Sequence, residues 1–205
     1  MKNIKIVLLI VMLAAASSAT AQFKQEKPNV EYMLKVEAGY LHNVGNYGKQ
    51  KELSDGSTNP TDPNGYNLRD HEEAFGLNVI NGINISQDFF LGLGLGYNYC
   101  QPLYQGNKGL TPSHMAQVFV DMDYRPIDAT FAPMVGARVG GSMLMNDNNY
   151  GTTMSEYLEV YAGLNWFYDH AYQQMDRNYH SVYIEAGVVL VQQTVFIPIR
   201  IGWRL

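Results

Sequence analysis

The chain of 205 residues has one cysteine, Cys100, so no intrachain disulfide can staple it. Whatever fold it takes must hold through packing and hydrogen bonding alone. Charge is scarce as well: 16% of residues are Asp, Glu, Lys or Arg, where a soluble domain carries about 25%. Basic charge is the scarcer sign, 14 Lys and Arg against 19 Asp and Glu, giving a net charge of -5 and a pI near 5.5. That balance excludes the basic face of a nucleic-acid-binding protein. Beyond the N-terminus no apolar run approaches the roughly 18 residues of a membrane-spanning helix, and a mean hydropathy of -0.19 excludes a bundle of them. What is abundant is tyrosine, 15 residues against 8 Phe, together with 19 Gly. The length suits one domain.

Met1 to Ala21 reads as a cleaved secretory signal peptide. Lys2 and Lys5 precede an apolar run of 11 residues, Ile6 to Ala16, and Ala19-Thr20-Ala21 supplies a small-residue cleavage site. The residue after it is Gln22, not Cys, which argues against a lipoprotein anchor. The expected mature domain is 22-205, and the export signal implies a compartment outside the cytoplasm.

In that domain the dominant period is two, the strand signature. Tyr32 to Tyr40, Leu91 to Tyr99, Leu158 to Tyr168, Val182 to Val188 and Ile197 to Leu205 alternate cleanly between apolar and small or polar residues. Phe75 to Ile85, interrupted by Asn81, and Ala116 to Tyr124 and Pro133 to Met143 alternate more weakly. These make eight strands. Their connections alternate too, except that Asp169 to Asn178 is longer than a tight turn and Gln192 to Thr194 is short where a long loop is expected. Val44 to Glu73, Gln101 to His114 and Leu144 to Ser155 are long, polar and rich in turn residues, whereas Ser86 to Asp88 and Arg125 to Thr130 are short. Long loops at one end and turns at the other predict an all-β, eight-stranded antiparallel up-and-down transmembrane β-barrel.

Period two alone does not separate such a barrel from a soluble one. The composition of the two faces does. One face carries no formal charge. The other carries Lys35, Glu37, Asp121, Asp123, Arg125, Arg138, Glu159, Glu185, Arg200 and Arg204, five of each sign, interleaved with Gly and Ser. An eight-stranded interior is just wide enough to be filled by side chains, so these ten are expected to form a paired internal network, with the apolar face toward lipid. The aromatics then fall into two girdles at headgroup level. Tyr40, Phe75, Tyr97 and Tyr99 mark the outer one; Tyr32, Phe89, Tyr124, Phe131, Trp166, Tyr168 and Trp203 mark the inner one. Pro198, which lacks a ladder donor, predicts a bulge near the outer rim.

The stretches Gly76-Leu77-Asn78-Val79-Ile80-Asn81-Gly82 and Phe90-Leu91-Gly92-Leu93-Gly94-Leu95-Gly96-Tyr97 resemble the second hairpin of the small eight-stranded outer-membrane β-barrel family, of the OmpA-like and OmpX-like kind. Pro133 to Gly140 and the closing Arg200-Ile201-Gly202-Trp203-Arg204-Leu205 carry the same likeness, which covers the whole of 22-205. The resemblance implies an outer-membrane location in a Gram-negative-type cell. It also implies contact with outer-membrane lipid and lipopolysaccharide, and assembly by the barrel-assembly machinery. The family usually ends on an aromatic residue; this chain ends on Leu205 with Trp203 two before it.

Other motifs carry little. Gly92-Leu93-Gly94-Leu95-Gly96 continues a strand and opens no helix, so it is not a nucleotide loop. Asp147-Asn148-Asn149 lacks the bidentate Glu of a calcium loop, because the position eleven later is Leu158. His42, His71, His114 and Ser113 fall at the outer rim, with His180-Ser181 and Glu185 toward the other end. A Ser-His-acid hydrolase acting on lipid A would need such residues within hydrogen-bond reach. A small channel would use the same interior charges. The expectation is a non-enzymatic barrel with no cofactor or metal, acting in envelope integrity or in surface interaction through its loops, the longest being Val44 to Glu73.

Overall fold

Each alternating segment can satisfy its backbone only by pairing with a neighbour, and every strand here finds two. The computed structural model describes residues 30–46, 71–85, 88–102, 112–126, 131–146, 152–167, 180–192 and 194–205. Met1 to Ala21, expected to be a signal peptide, Tyr168, Asp147 to Asn149 and most of the first long loop lie outside the described residues. The strands are β1 (Val30–Asn46), β2 (His71–Ile85), β3 (Phe89–Pro102), β4 (Ser113–Tyr124), β5 (Phe131–Asn146), β6 (Thr152–Phe167), β7 (Ser181–Val191) and β8 (Thr194–Arg204). They form a closed barrel in sequence order, antiparallel throughout. β1 closes on β8, with Lys35 opposite Arg204 and His42 opposite Ile197. The backbone of the last residue, Leu205, completes the seam by bonding both ways with Leu34, at 2.9 and 3.1 Å.

Strands run past the alternating segments, most of all at the loop end. Val44 and Glu73 are strand residues, so the first connection is 47–70 and not Val44 to Glu73. Gln101, Ser113, His114, Leu144 and Ser155 likewise belong to strands. The reach of 11 to 17 residues per strand exceeds the 9–11 or so that cross a bilayer, so several strands project beyond the apolar belt at the loop end. Two outward carboxylates, Glu73 and Glu156, ride on these projections.

The expected bulge is displaced from Pro198 onto the facing strand. The register against β8 shifts between Asn43 and Gly45, so Val44 is the extra residue, while Pro198 itself stays in register with Leu41. Toward β7 the pairing runs through Glu185–Arg200 and Ala186–Ile199 and resumes at Val189–Phe196, skipping Pro198. The missing N–H costs local pairs without shifting the strand.

Outward residues are apolar around the whole belt. Leu77, Leu95, Val118, Val135, Val160, Ile184 and Ile201 are among the large side chains left exposed. The polar exception in mid-belt among the described residues is Asn81, outward and opposite Leu34 and Leu93. If this belt faces hydrocarbon, Asn81→Leu is expected to stabilise by about 1 kcal/mol, read as a higher urea midpoint in lipid vesicles.

Inward glycines make room for rings. A Cβ on Gly94 would strike the Phe119 ring, and one on Gly140 would lie 2.6 Å from the Phe119 Cα. Backbone cannot swing aside as a ring can, so Gly140→Ala is expected to cost about 1–3 kcal/mol in equilibrium unfolding, more than an outward Gly141→Ala, whose added carbon meets only Ser155 O at 3.8 Å.

Candidate functional site

The ten charged residues of the inner face are all buried, the most exposed being Arg200 at 4%. They come from β1, β4, β5, β6, β7 and β8 and meet along the barrel axis in one continuous ion-pair network. Arg138 is its hub. Its Nη2 lies 2.6 Å from Glu37 Oε1, its Nε 3.1 Å from Asp121 Oδ1, and its Nη1 2.8 Å from Glu185 Oε1 and 3.3 Å from Glu159 Oε2. Arg200 pairs with Glu159 and Glu185 on the same side. Lys35 pairs with Asp121 and sits 2.8 Å from Asp123 Oδ2. Asp123 also holds Arg204 at 2.9 Å and Arg125 at 3.8 Å. Asp121 thus joins the Arg138 half to the Lys35 half.

Three inward tyrosines complete this layer. Tyr183 donates to Glu37 at 2.5 Å, Tyr161 to Asp121 at 2.7 Å and Tyr157 to Glu159 at 2.5 Å. Asn78 donates to the other oxygen of Glu37 at 2.9 Å. Cations also lie over rings: Arg138 is 4.4 Å from the Tyr161 centroid and Lys35 is 4.1 Å from that of Phe90. Face parity already placed Tyr161 and Tyr183 opposite the apolar stripe; Tyr157 fell one residue before the recognised segment.

Above the charges, toward the loop end, the interior holds no formal charge and mixes apolar side chains with buried Asn98, Ser113, Gln117, Ser142, Gln192 and Thr194. Leu41, Ala74, Cys100, Met115, Phe119, Leu144, Tyr157, Val189, Val191 and Phe196 form an apolar cluster, each 1% exposed or less. Gln192, in the left-handed region at φ 49, turns β7 into β8 and sends its amide across to Ser142 Oγ at 3.0 Å. The lumen is therefore filled twice over, by salt bridges and by a mainly apolar layer.

Strand alternation pulls Ser113 and His114 apart. Ser113 points into the barrel, fully buried, while His114 points outward, its Nδ1 2.5 Å from Tyr97 Oη. Ser181 is inward and donates to Asn165 Oδ1 at 2.9 Å. Glu185 lies four residues further along β7, about 13 Å at strand rise, and is held by Arg138. Of the outer-rim histidines, His42 stacks on Tyr40, and the His71 side chain lies outside the described residues. Among the described residues no three His, Cys, Asp or Glu are grouped to hold a metal ion.

The outward aromatics occur at both ends of the belt. Toward the loops are Tyr40, Phe75, Tyr97 and Tyr99; toward the chain termini are Tyr32, Phe89, Tyr124, Phe131, Trp166 and Trp203. Phe131 and Trp166 stack at 6.1 Å and 8°.

No protein-family model and no curated protein matches the chain. Among solved structures the chain is similar to Neisserial surface protein A, at 14% identity and a TM-score of 0.50, over 86% of this chain and 98% of that one. It also aligns with the outer membrane protein OprG of Pseudomonas aeruginosa, at 9% identity and a TM-score of 0.49, over 88% and 97% of the two chains. A third alignment is with the N-terminal β-barrel domain of OprF from the same organism, at 11% identity and a TM-score of 0.40, over 86% and 100%. The first of these carries the fold alone: an all-β, eight-stranded closed barrel.

Proposed function

We propose that this protein is an integral outer-membrane barrel of a Gram-negative-type cell, exported by its N-terminal segment. In this reading it is non-enzymatic and serves envelope integrity or surface interaction through the loops at one end. The observation that carries the reading is the inversion of its surfaces: apolar side chains exposed around the whole belt and ten charges buried inside. In water such a belt would be an aggregation liability; in hydrocarbon it is the surface required.

Within this reading the outward residues contact outer-membrane lipid and lipopolysaccharide, and β8, with Trp203 facing out, is what the barrel-assembly machinery engages. The longest connection, 47–70, and 103–112 leave the same end of the barrel, which supports that end as the surface-exposed one, although 168–180 leaves the other. The filled lumen supports a structural barrel over a channel, and the divergence of Ser113 from His114 supports a non-enzymatic one.

Gel mobility of boiled against unboiled protein from an outer-membrane fraction tests the insertion. A heat shift is expected; a soluble periplasmic protein without one overturns the reading. Two companion measurements address the role. Lipid A from cells with and without the gene should have the same mass, and planar bilayers should show no stable single-channel conductance. A mass difference or steady conductance would each replace the structural role with an activity.

A further inference from the structure

A lipid-facing wall has to do without polar side chains, because hydrocarbon offers them no partner. Asn81 breaks that rule on β2. Its side chain is outward and exposed, between the level of Phe75 at one girdle and that of the Tyr32–Ile83 pair at the other. Leu34 stands opposite on β1 and Leu93 on β3, with Val79 and Ile83 next along its own face. None of these carries a donor or an acceptor, and within the described residues the Asn81 amide makes no hydrogen bond. Both ladders run unbroken past it, from the Phe75 level to the Ile85 level, so its surroundings at this depth are strand residues.

An unpaired amide makes a specific demand. It has two N–H donors and a carbonyl with two lone pairs, and in hydrocarbon both go unmet. Leucine has the same branching at Cγ and would serve a position that only faces lipid, as Leu34 and Leu93 do. What meets an amide fully is another amide, since two of them side by side exchange N–H···O bonds in both directions. The partner must hold its amide at the same depth in the bilayer, on an otherwise aliphatic wall. A second copy of this chain does so by symmetry. A two-fold axis along the membrane normal brings each residue to the level of its own copy, and such an interface is self-complementary.

The wall around Asn81 suits close approach. Leu77, Val79, Ile83, Leu93 and Leu95 are exposed about it. Pressed against their own copies they form an aliphatic collar round the amide pair, in surroundings of low dielectric where a hydrogen bond is electrostatically strongest. The far wall, on β6, shows Leu158, Val160, Ala162 and Leu164 at these depths. It has no polar group by which to tell a partner from lipid.

We infer that Asn81 lies on the two-fold axis of a side-by-side homodimer, in which the β1–β3 walls of two barrels meet. The inference rests on the membrane reading above, since an amide in water needs no protein partner. In a single barrel the amide is a defect, which is why Asn81→Leu stabilises that form; in the pair the same amide is satisfied.

The test uses the full chain refolded into phosphatidylcholine vesicles from two batches, one carrying a donor dye and one an acceptor dye at the N-terminal amine. Energy transfer is followed as the protein-to-lipid ratio is raised. The wild type is expected to exceed the transfer of randomly placed barrels. Asn81→Leu should weaken the association about tenfold, the size of a shared pair of hydrogen bonds in a membrane. Leu93→Trp, whose bulk holds the two walls apart, should weaken it as well. Leu164→Ala, on the far wall, should leave it unchanged. The urea midpoint gives a second reading by mass action. It should rise with protein density for the wild type and stay level for Asn81→Leu. Random-level transfer in the wild type, indifference to Asn81→Leu or to Leu93→Trp, or an equal loss in Leu164→Ala overturns the inference. Heat-modifiable mobility is read on every sample. If it is present without association, the inference alone fails; if it is absent from the wild type, the membrane reading fails with it.

Discussion

Arg138→Ala is expected to lower the free energy of unfolding by about 3–5 kcal/mol, the range for removing one partner of a buried ionic group. The size follows from what remains. Glu37, Asp121, Glu159 and Glu185 all lie within 3.3 Å of the guanidinium, and truncation leaves four carboxylates facing one another in a dry interior. Arg138→Lys should recover only part of the loss, because a single ammonium cannot reproduce a planar fork that bonds in three directions. In a double-mutant cycle, Glu185→Gln should cost less in the Arg138→Ala background than in the wild type, since the acid has then already lost its closer partner and keeps only Arg200 at 3.3 Å. Urea unfolding followed by Trp166 and Trp203 fluorescence in vesicles measures all four. A change under about 1 kcal/mol for Arg138→Ala would mean that water reaches the network and that the layer is not a closed core.

A buried ionic layer is not the cheapest way to fill a barrel; apolar packing would do as well or better. What the charges add is a penalty on mistakes. Slipping one strand by a residue turns its inward set outward. On β8 that slip would present Arg200 and Arg204 to the surface now formed by Ile199, Ile201 and Trp203. Each Arg placed at mid-bilayer costs roughly 2–4 kcal/mol, whereas slipping a strand that was apolar on both faces would cost little. The ion pairs specify register where apolar packing cannot distinguish inside from outside.

The same contrast explains what could be read from the sequence. Where the interior is polar, alternation is visible, and the segments around Lys35, Glu159, Glu185 and Arg200 stand out as strands with assigned faces. Where the interior becomes the mainly apolar layer, both faces are apolar and the period vanishes. Val188-Val189-Leu190-Val191 and Met143-Leu144-Met145 are continuous apolar runs in sequence. In the structure they are strands with Val189, Val191 and Leu144 turned inward. This is why the strands were read short at the loop end and the layer was missed. The side chains bonding to the carboxylates were partly legible, since Tyr161 and Tyr183 share the charged face by parity. Which carboxylate each one reaches was not, because those contacts span as many as 146 residues, as from Tyr183 to Glu37.

Val160→Arg is expected to produce the second large effect, and it tests the surface where Arg138→Ala tests the core. Val160 is 56% exposed on β6, between Ala137 of β5 and Val188 of β7, midway between the Trp166 girdle and Glu156 at the loop-end rim. On a water-facing barrel an exposed Val→Arg change would fall within about 0.5 kcal/mol of neutral. On a lipid-facing one it puts a charge near the bilayer midplane, at a cost of roughly 2–4 kcal/mol that fades to about 0–1 at the interfaces. Glu156→Arg, four residues further along the same outward face, should therefore be close to neutral. The depth dependence is the signature, since a packing defect at Val160 would not scale with distance from the rim. Val160→Ala in the same vesicles supplies that packing baseline. If Val160→Arg unfolds at the urea concentration of Val160→Ala, the belt meets water and the membrane reading falls. If the two part by the expected margin while the Glu156 variant does not move, the apolar belt is doing what its inversion requires.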